Sequence, residues 1–376
     1  MSAEADARFM AQAVALGRRG LGATWPNPSV GCVIVRDGRV IARAATAPGG
    51  RPHAETRALA AAGDAARGAT AYVSLEPCAH EGATPPCARA LAEAGVARVV
   101  TALADPDPRT AGQGHARLRA AGVEVVTDVL ADAAREAHAG FLTRVTQGRP
   151  GVTLKLATSL DGRIATATGE SRWITGPRAR RAVHALRARH DAVLVGAGTA
   201  RADDPDLTVR GLGPMPQPVR IVASRHLDLP LDGRLGRSGG TPPVWLCHGA
   251  DAPPDRIADW TARGAVAIPV PAGPGRQIDP AAMLAALGAR GLTTVFCEGG
   301  GQLAGALLMA GLVDELVTFT AGVALGAEGQ PALGALGLDR LAEAPRFRLD
   351  RLSTVGPDAL AHWRPAEPGG PDDPGA

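Results

Sequence analysis

The chain has 376 residues, enough for two domains with a core in each. Its net charge of +3, a 3 % aromatic fraction and a single Tyr leave neither a basic stripe nor rings for unpaired bases, which argues against a dedicated nucleic-acid binder. No apolar run is long enough to span a bilayer, Met1-Ser-Ala-Glu-Ala-Asp6 does not resemble a secretion leader, and five cysteines suit a reducing compartment, so a cytoplasmic, non-membrane protein is expected.

Residues 4–19 carry the apolar period of a helix. Two strands, 30–35 and 39–42, flank Asp37-Gly38, a good hairpin turn. Helices are expected at 53–62, 87–94 and 114–121, and strands at 69–75, 96–102 and 123–126. This alternation predicts an α/β layered domain. Residues 147–151, Gln-Gly-Arg-Pro-Gly, read as a linker. Beyond it, strands are expected at 153–157, 191–195, 219–223, 244–247, 294–297 and 312–320, with further strands near Phe347 and Leu360. Helices are expected at 178–189 and 302–310. Asp161-Gly162 reads as a turn, residues 210–218, 230–243 and 269–280 as Gly/Pro-rich loops, and 365–376 as a disordered tail.

The first of these regions holds a metal-type constellation. His53-Ala-Glu55 is followed by Pro77-Cys78 and Pro86-Cys87. One imidazole and two thiolates fill three corners of a tetrahedral zinc and leave the fourth open, as a catalytic zinc requires. Glu55, two residues after the imidazole, can move protons without ligating the metal, the logic of zinc nucleobase deaminases. All three ligands are expected at or near helix N-termini, whose positive ends favour thiolates. The spacing between the cysteines is longer than C-x-x-C and contains His80, which is expected to contact substrate. Cys32, Cys247 and Cys297 read as buried strand cysteines.

In the second region two Gly-rich loops, Gly196-Ala-Gly-Thr199 and Glu298-Gly-Gly-Gly301, each follow a strand. Such loops let backbone amides approach phosphates, although neither has the G-x-G-x-x-G spacing. Trp173 is either core or a platform for a flat cofactor. Lys155 is the only lysine among 40 basic residues. Arginine would serve at a solvated site, so this lysine points to chemistry that needs a compact ammonium, with Glu298 available to orient it.

These motifs in this order resemble the bifunctional riboflavin-biosynthesis deaminase/reductase family over residues 5–364. Pro26-Asn-Pro-Ser-Val-Gly31, Pro52-His-Ala-Glu55 and Leu75-Glu-Pro-Cys78 with Thr84-Pro-Pro-Cys87 carry the deaminase half. Lys155-Leu-Ala-Thr-Ser-Leu-Asp-Gly-Arg163, Ser171-Arg-Trp-Ile-Thr-Gly176, Ala202-Asp-Asp-Pro-Asp-Leu-Thr-Val-Arg210 and Glu298-Gly-Gly-Gly301 carry the reductase half. The resemblance implies a cytidine-deaminase-like three-layer domain over 1–146 and a dihydrofolate-reductase-like domain over 152–364. It implies one Zn2+ per chain on His53, Cys78 and Cys87, with Glu55 as proton shuttle. It implies zinc-dependent deamination of a phosphorylated ribosylaminopyrimidinone, then NADPH reduction of its ribosyl chain to ribityl. Asn27 would touch the pyrimidine, and Ser171, Arg187, Leu207, Arg210 and Glu298 the reductase substrate, beside a substrate-proximal Lys155. Ala157, Trp173, Thr199, Asp203, Ser224, Gly300, Gly301, Gln302, Leu303, Ala304, Gly305 and Ala306 would line the NADPH site. A homo-oligomer through the reductase domain is expected.

The chain departs from the family pattern, which has a His near Thr46, an Arg or Lys near Ala83, an Asn near Asp107, and an Asp before Ser224. Arg51 and Arg109 are the candidates to replace the missing deaminase-pocket cation. The alternative readings are a tRNA-base deaminase with an accessory domain and a non-enzymatic flavin-precursor-binding paralogue. The first needs basic, aromatic-rich surfaces, and the second needs a broken zinc set or a missing Glu55; the sequence shows neither.

Overall fold

The computed structural model describes residues 2–80, 85–273 and 277–366. It divides into two compact units, residues 1–149 with 290–293, and residues 150–289 with 294–376.

The first unit runs α1 (Ala3–Arg18), β1 (Gly31–Arg36), β2 (Arg39–Ala45), α2 (Ala54–Ala62), β3 (Thr70–Val73), α3 (Cys87–Glu93), β4 (Arg98–Thr101), α4 (Gln113–Ala120), β5 (Glu124–Val126) and α5 (Ala131–Gln147). The strands form one sheet in the order β2-β1-β3-β4-β5. β2 and β3 flank β1 antiparallel, and β3, β4 and β5 are parallel. In the expected hairpin turn Asp37 and Gly38 both take positive φ, 49° and 72°. Gly31 to Val35 of β1 are all buried, so both faces of the sheet are covered. α1 packs on β1 and on α5, and α2, α3 and α4 form a second group. This is the three-layer arrangement the sequence predicted.

The Pro26-Asn-Pro-Ser-Val-Gly31 run is seated backbone to backbone on α1. A Cβ on Gly31 would lie 1.9 Å from the Ala13 carbonyl oxygen, and one on Gly17 would lie 2.7 Å from the Ser29 carbonyl oxygen. Only glycine permits this approach.

The second unit runs β6 (Gly151–Thr158), β7 (Arg163–Ala165), α6 (Pro177–Arg187), β8 (Ala192–Gly196), α7 (Ala197–Asp203), β9 (Val219–Ala223), α8 (Arg234–Arg237), β10 (Val244–Gly249), α9 (Pro254–Ala262), β11 (Val266–Val270), α10 (Pro280–Ala289), β12 (Thr294–Gly299), α11 (Gly301–Met309), β13 (Glu315–Thr320), β14 (Gln330–Pro331), β15 (Phe347–Val355) and β16 (Asp358–Pro365). The main sheet has the order β11-β10-β9-β8-β12-β6-β13-β16-β15. It is parallel from β11 to β13, and β16 and β15 close it antiparallel. Chain order jumps where β12 inserts between β8 and β6, and such switch points place ligands outside the carboxyl ends of the strands. Cys32, Cys247 and Cys297 are buried in β1, β10 and β12, as read from the sequence.

Several elements differ from expectation. α5 was absent from the reading because its core-facing residues, Ala134, Ala137, His138 and Phe141, are mostly too small or polar to show a period, and Leu130 caps it with no side-chain bond. α5 reaches Gln147 and β6 starts at Gly151, so both ends of the expected linker belong to elements. α9, β11 and α10 were missed too; α10 is apolar all round and offers no polar face to mark it. Gly196-Ala-Gly-Thr199 is no loop, because α7 begins at Ala197. A short helix, α8, interrupts the loop expected at 230–243, and β11 extends to Val270 in the one expected at 269–280. Asp161-Gly162 does turn the chain, but β7 pairs with β14 rather than β6. Pro365 ends β16, while residues 367–376 of the expected tail lie outside the described residues.

Gly31→Ala is expected to lower the unfolding free energy by about 2 kcal/mol or more, because the helix and strand must move apart. Denaturant unfolding followed by a probe in the first unit checks this, and an unchanged midpoint contradicts the close approach.

Candidate active sites

In the first unit the end of β3, the start of α2 and the start of α3 bring the metal-type residues together. His53 is the N-cap of α2 and Cys87 is the first residue of α3. Cys78 follows β3 in irregular backbone, and its Sγ accepts the Cys87 amide at 3.3 Å, so it meets the N-terminus of α3 and lies near a helix start, as expected. His53 Nδ1 lies 3.6 Å from Cys78 Sγ and 3.4 Å from Cys87 Sγ. Zinc bonds of about 2.3 Å to sulfur and about 2.0 Å to nitrogen place tetrahedral ligands about 3.6 Å apart, so the three atoms fit this ion. Among the described residues this is the only such His/Cys/Asp/Glu group, with ligand atoms within 4.8 Å of one another.

Hydrogen bonding from Cys87, reinforced by His53, pulls the Cys78 thiol down to about 4, while the same contact with Cys78 and burial raise Cys87. A bound cation would hold both sulfurs as thiolates. Glu55 is buried beside them, and desolvation pushes its carboxyl up to about 7. A carboxyl in that range can both take and give a proton near neutral pH.

A cavity of about 210 Å³ opens onto these groups. Asn27, Thr46, Arg51, His80, Asp105, Asp107, Arg109, Phe141, Arg144 and Val145 complete its wall. Asn27 Nδ2 donates to the Gly50 carbonyl at 3.0 Å, which fixes the amide. His80 Nδ1 is buried and has no partner among the described residues. Thr46, where a His was expected from the family pattern, is tied to the backbone of Val30. Ala83 lies outside the described residues. Sequence reasoning missed Phe141, Arg144 and Val145 because it missed α5.

In the second unit a larger cavity, about 570 Å³, lies at the carboxyl ends of β6, β8 and β12. The parallel register sets Leu154 against Cys297, which makes Lys155 and Glu298 neighbours. Lys155 Nζ is 4.0 Å from Glu298 Oε2, and Arg187 Nε donates to Glu298 Oε1. Burial alone would raise the Glu298 carboxyl; the charges of Arg187 and Lys155 outweigh it and hold the group low. Arg187 also donates to the Thr208 carbonyl at 2.8 Å. Ala157, Ser171, Trp173, Thr199, Asp203, Leu207, Arg210, Gly300 and Gly301 line this cavity. Leu207 holds φ of 55°, a left-handed conformation rare for its type. Arg210 is paired with Asp206, which Arg234 also contacts at 3.0 Å. Trp173 is exposed, with the Arg180 guanidinium 4.4 Å from its ring centroid, so it is not core.

Gly299 and Gly300 take φ of 94° and 91° and turn β12 into α11. The rest of the expected cofactor segment does not line the cavity: Gln302, Leu303, Ala304, Gly305 and Ala306 continue into the body of α11, with Ala304 and Gly305 buried. Ser224 is buried away from the cavity wall, its hydroxyl 3.2 Å from Asp228 Oδ1. Arg172, Arg180, His184, Asp204, Asp206, Arg234 and Gln330 line it without having been singled out from the sequence. Arg172, Asp204 and Asp206 lie within the quoted reductase motifs, whereas Arg180, His184, Arg234 and Gln330 are brought in by tertiary structure alone.

Comparison with known proteins agrees with both halves. Residues 3–103 match the cytidine and deoxycytidylate deaminase zinc-binding region, and residues 150–361 match the RibD C-terminal domain. The chain is 42 % identical over 372 residues to the riboflavin biosynthesis protein RibD of Escherichia coli, covering 95 % of this chain and 98 % of that one. It is 40 % identical over 349 residues to that of Mycobacterium tuberculosis, covering 90 % and 91 %. Among solved structures, Acinetobacter baumannii RibD superposes with a TM-score of 0.88 at 38 % identity, covering 97 % of this chain and 100 % of that one. A Thermotoga maritima diaminohydroxyphosphoribosylaminopyrimidine deaminase/5-amino-6-(5-phosphoribosylamino)uracil reductase superposes with a TM-score of 0.83 at 33 % identity, covering 97 % and 99 %. The molecule is thus a two-domain enzyme, a zinc-type deaminase fused to a nicotinamide-dependent reductase of dihydrofolate-reductase-like fold. The chain belongs to the RibD family of riboflavin biosynthesis proteins.

The purified protein is expected to carry about one zinc per chain, and Cys78→Ser to lose it, because three ligands with one open corner define a single ion. Metal analysis of both proteins checks this; full zinc retention by the variant contradicts the ligand set.

Proposed function

We propose that the first unit deaminates a 2,5-diamino-6-ribosylamino-4(3H)-pyrimidinone 5′-phosphate and that the second reduces the ribosyl chain of the product to ribityl with NADPH. The observation that carries the reading is the closure of His53, Cys78 and Cys87 beside a buried Glu55, in a chain whose other half sets Lys155 against Glu298 at a strand-end cavity.

In the deaminase, His53, Cys78 and Cys87 hold a zinc ion, which when bound supplies the Lewis acidity that activates water at neutral pH. The Glu55 carboxylate takes one proton from that water and delivers it to the ring nitrogen as the oxygen bonds to the carbon, then carries the second proton from the new hydroxyl to the amine, which leaves as ammonia when the carbon–nitrogen bond breaks. The fixed Asn27 amide and the unsatisfied His80 Nδ1 orient the base. Phe141 and Val145 supply apolar wall and exclude water.

In the reductase, NADPH supplies a hydride to the sugar carbon bound to the amine, once the ribose ring has opened. Lys155 holds the proton that the reacting centre needs as charge develops, and Glu298, charged between Lys155 and Arg187, fixes the position of that ammonium. The backbone at Gly300 and Gly301, where α11 starts, receives the phosphates, Trp173 offers a flat surface, and Ser171, Leu207 and Arg210 stand at the substrate side. A homo-oligomer through this unit is supported by β15, an edge strand whose Leu349 and Leu352 are exposed.

Glu55→Gln preserves the ligands and removes the shuttle, so deamination is expected to fall by about 10²-fold or more. NADPH oxidation with pre-deaminated substrate should stay near wild type, and a parallel loss of both activities contradicts separate chemistries. Lys155→Arg should abolish most of the reductase kcat, leaving NADPH binding and deamination intact, because the guanidinium spreads its charge and does not release a proton. Near-wild-type reduction by this variant overturns the role of the ammonium.

A further inference from the structure

The deaminase cavity presents an electrostatic problem. Its wall carries the carboxyl groups of Glu55, Glu76, Asp105 and Asp107, yet on the reading above its substrate ends in a phosphate dianion. Three arginines share the wall: Arg51, Arg109 and Arg144. We propose that Arg109, held in place by Asp107, is the residue that recognises the substrate phosphate in this deaminase.

The loop between β4 and α4 is built to present this one side chain. Glu76, buried at the end of β3, accepts the amides of Asp105 at 3.1 Å, Gly112 at 3.0 Å and His115 at 3.1 Å. Asp105 Oδ1 in turn accepts the Asp107 amide at 2.9 Å. Asp107 Oδ1 accepts both the Arg109 amide at 3.0 Å and its Nε at 2.9 Å, and Asp107 Oδ2 accepts Nε at 3.1 Å and an Nη2 proton. Each carboxylate fastens the next residue of the chain, and the series ends on a guanidinium. The Asp107 side chain is 12 % exposed and that of Arg109 68 %, so the pair is anchored inside and opens outward at the mouth of the cavity.

This arrangement removes the usual weakness of an exposed arginine, the rotamer entropy lost on binding an anion. The fork has five donors. One edge serves Asp107; Nη1 makes no hydrogen bond among the described residues and is open to a second anion. Bidentate pairing with phosphate oxygens is what this geometry favours. The other two arginines are placed differently. Arg51 is two residues before His53 and stands at the metal end, whereas the phosphate is separated from the reacting ring by a whole ribose. Arg144 donates to the Pro26 carbonyl at 3.3 Å. Asp107 is matched by its own cation and so does not repel the ligand as an isolated carboxylate would.

The assignment rests on the deaminase reading, and its test separates the two. Zinc-loaded wild type, Arg109→Ala and Arg109→Lys are assayed for deamination of the phosphorylated diaminopyrimidinone and of its dephosphorylated counterpart. Arg109→Ala is expected to raise KM for the phosphorylated substrate by about 10-fold or more, with kcat within about 3-fold and no change for the dephosphorylated one. Arg109→Lys should recover part of the loss, since it keeps the charge without the fork. In calorimetry the deaminated phosphorylated product should bind Arg109→Ala more weakly by a similar factor. An unchanged KM for the phosphorylated substrate, or an equal loss with both substrates, overturns the role of Arg109. A wild type that deaminates neither compound overturns the deaminase reading and this assignment with it. NADPH oxidation by the second unit and zinc content report whether each variant has folded.

Discussion

Two sulfurs and an imidazole nitrogen, drawn within 4.8 Å of one another in a largely buried site, are the constraint around which the first unit is organised. The surrounding structure brings this group together and holds it. β1 and β3 carry the chain to Cys78, the N-cap of α2 sets His53, and the first residue of α3 is Cys87. Glu76 then ties the backbone beyond β4 back under the same site. The close seating of Gly31 on α1 keeps the sheet beneath it in register.

The second unit solves a different problem with ion pairing. A lone buried carboxylate at position 298 would be driven to protonate. Set beside Lys155 by the β6/β12 register, with Arg187 on its other flank, it is held low between two positive charges. The cost of burying them is offset only while all partners are present.

Much of this was legible in the sequence where chemistry dictates residue type. The metal set, Glu55 and the lone Lys155 stood out because few residues can do their work. The hairpin at Asp37-Gly38 was legible because a tight turn with two positive φ angles restricts its residues. What stayed hidden follows from weak local contrast or from long-range closure. α5 buries alanines, so its face carries no period, and with it went Phe141, Arg144 and Val145 of the deaminase wall. α7 begins in Gly196-Ala-Gly, a string that reads as a loop until tertiary contacts fold it. That Ser224 and residues 302–306 lie off the cavity wall could be known only from the tertiary structure. Arg109 could be named as a candidate, but its clamp by Asp107 depends on a loop pinned from Glu76, 31 positions before Asp107 in the chain.

The central claim is that a zinc-dependent deamination precedes a reduction that needs no metal, each on its own half of the chain. The most direct measurement is NADPH oxidation by the chelated protein, started either from the phosphorylated diaminopyrimidinone or from its deaminated product, before and after zinc is returned. The account predicts that chelation stops oxidation from the diamino compound, leaves oxidation from the deaminated compound near its original rate, and is reversed by zinc. Undiminished oxidation from the diamino compound, or equal loss from both, would contradict it.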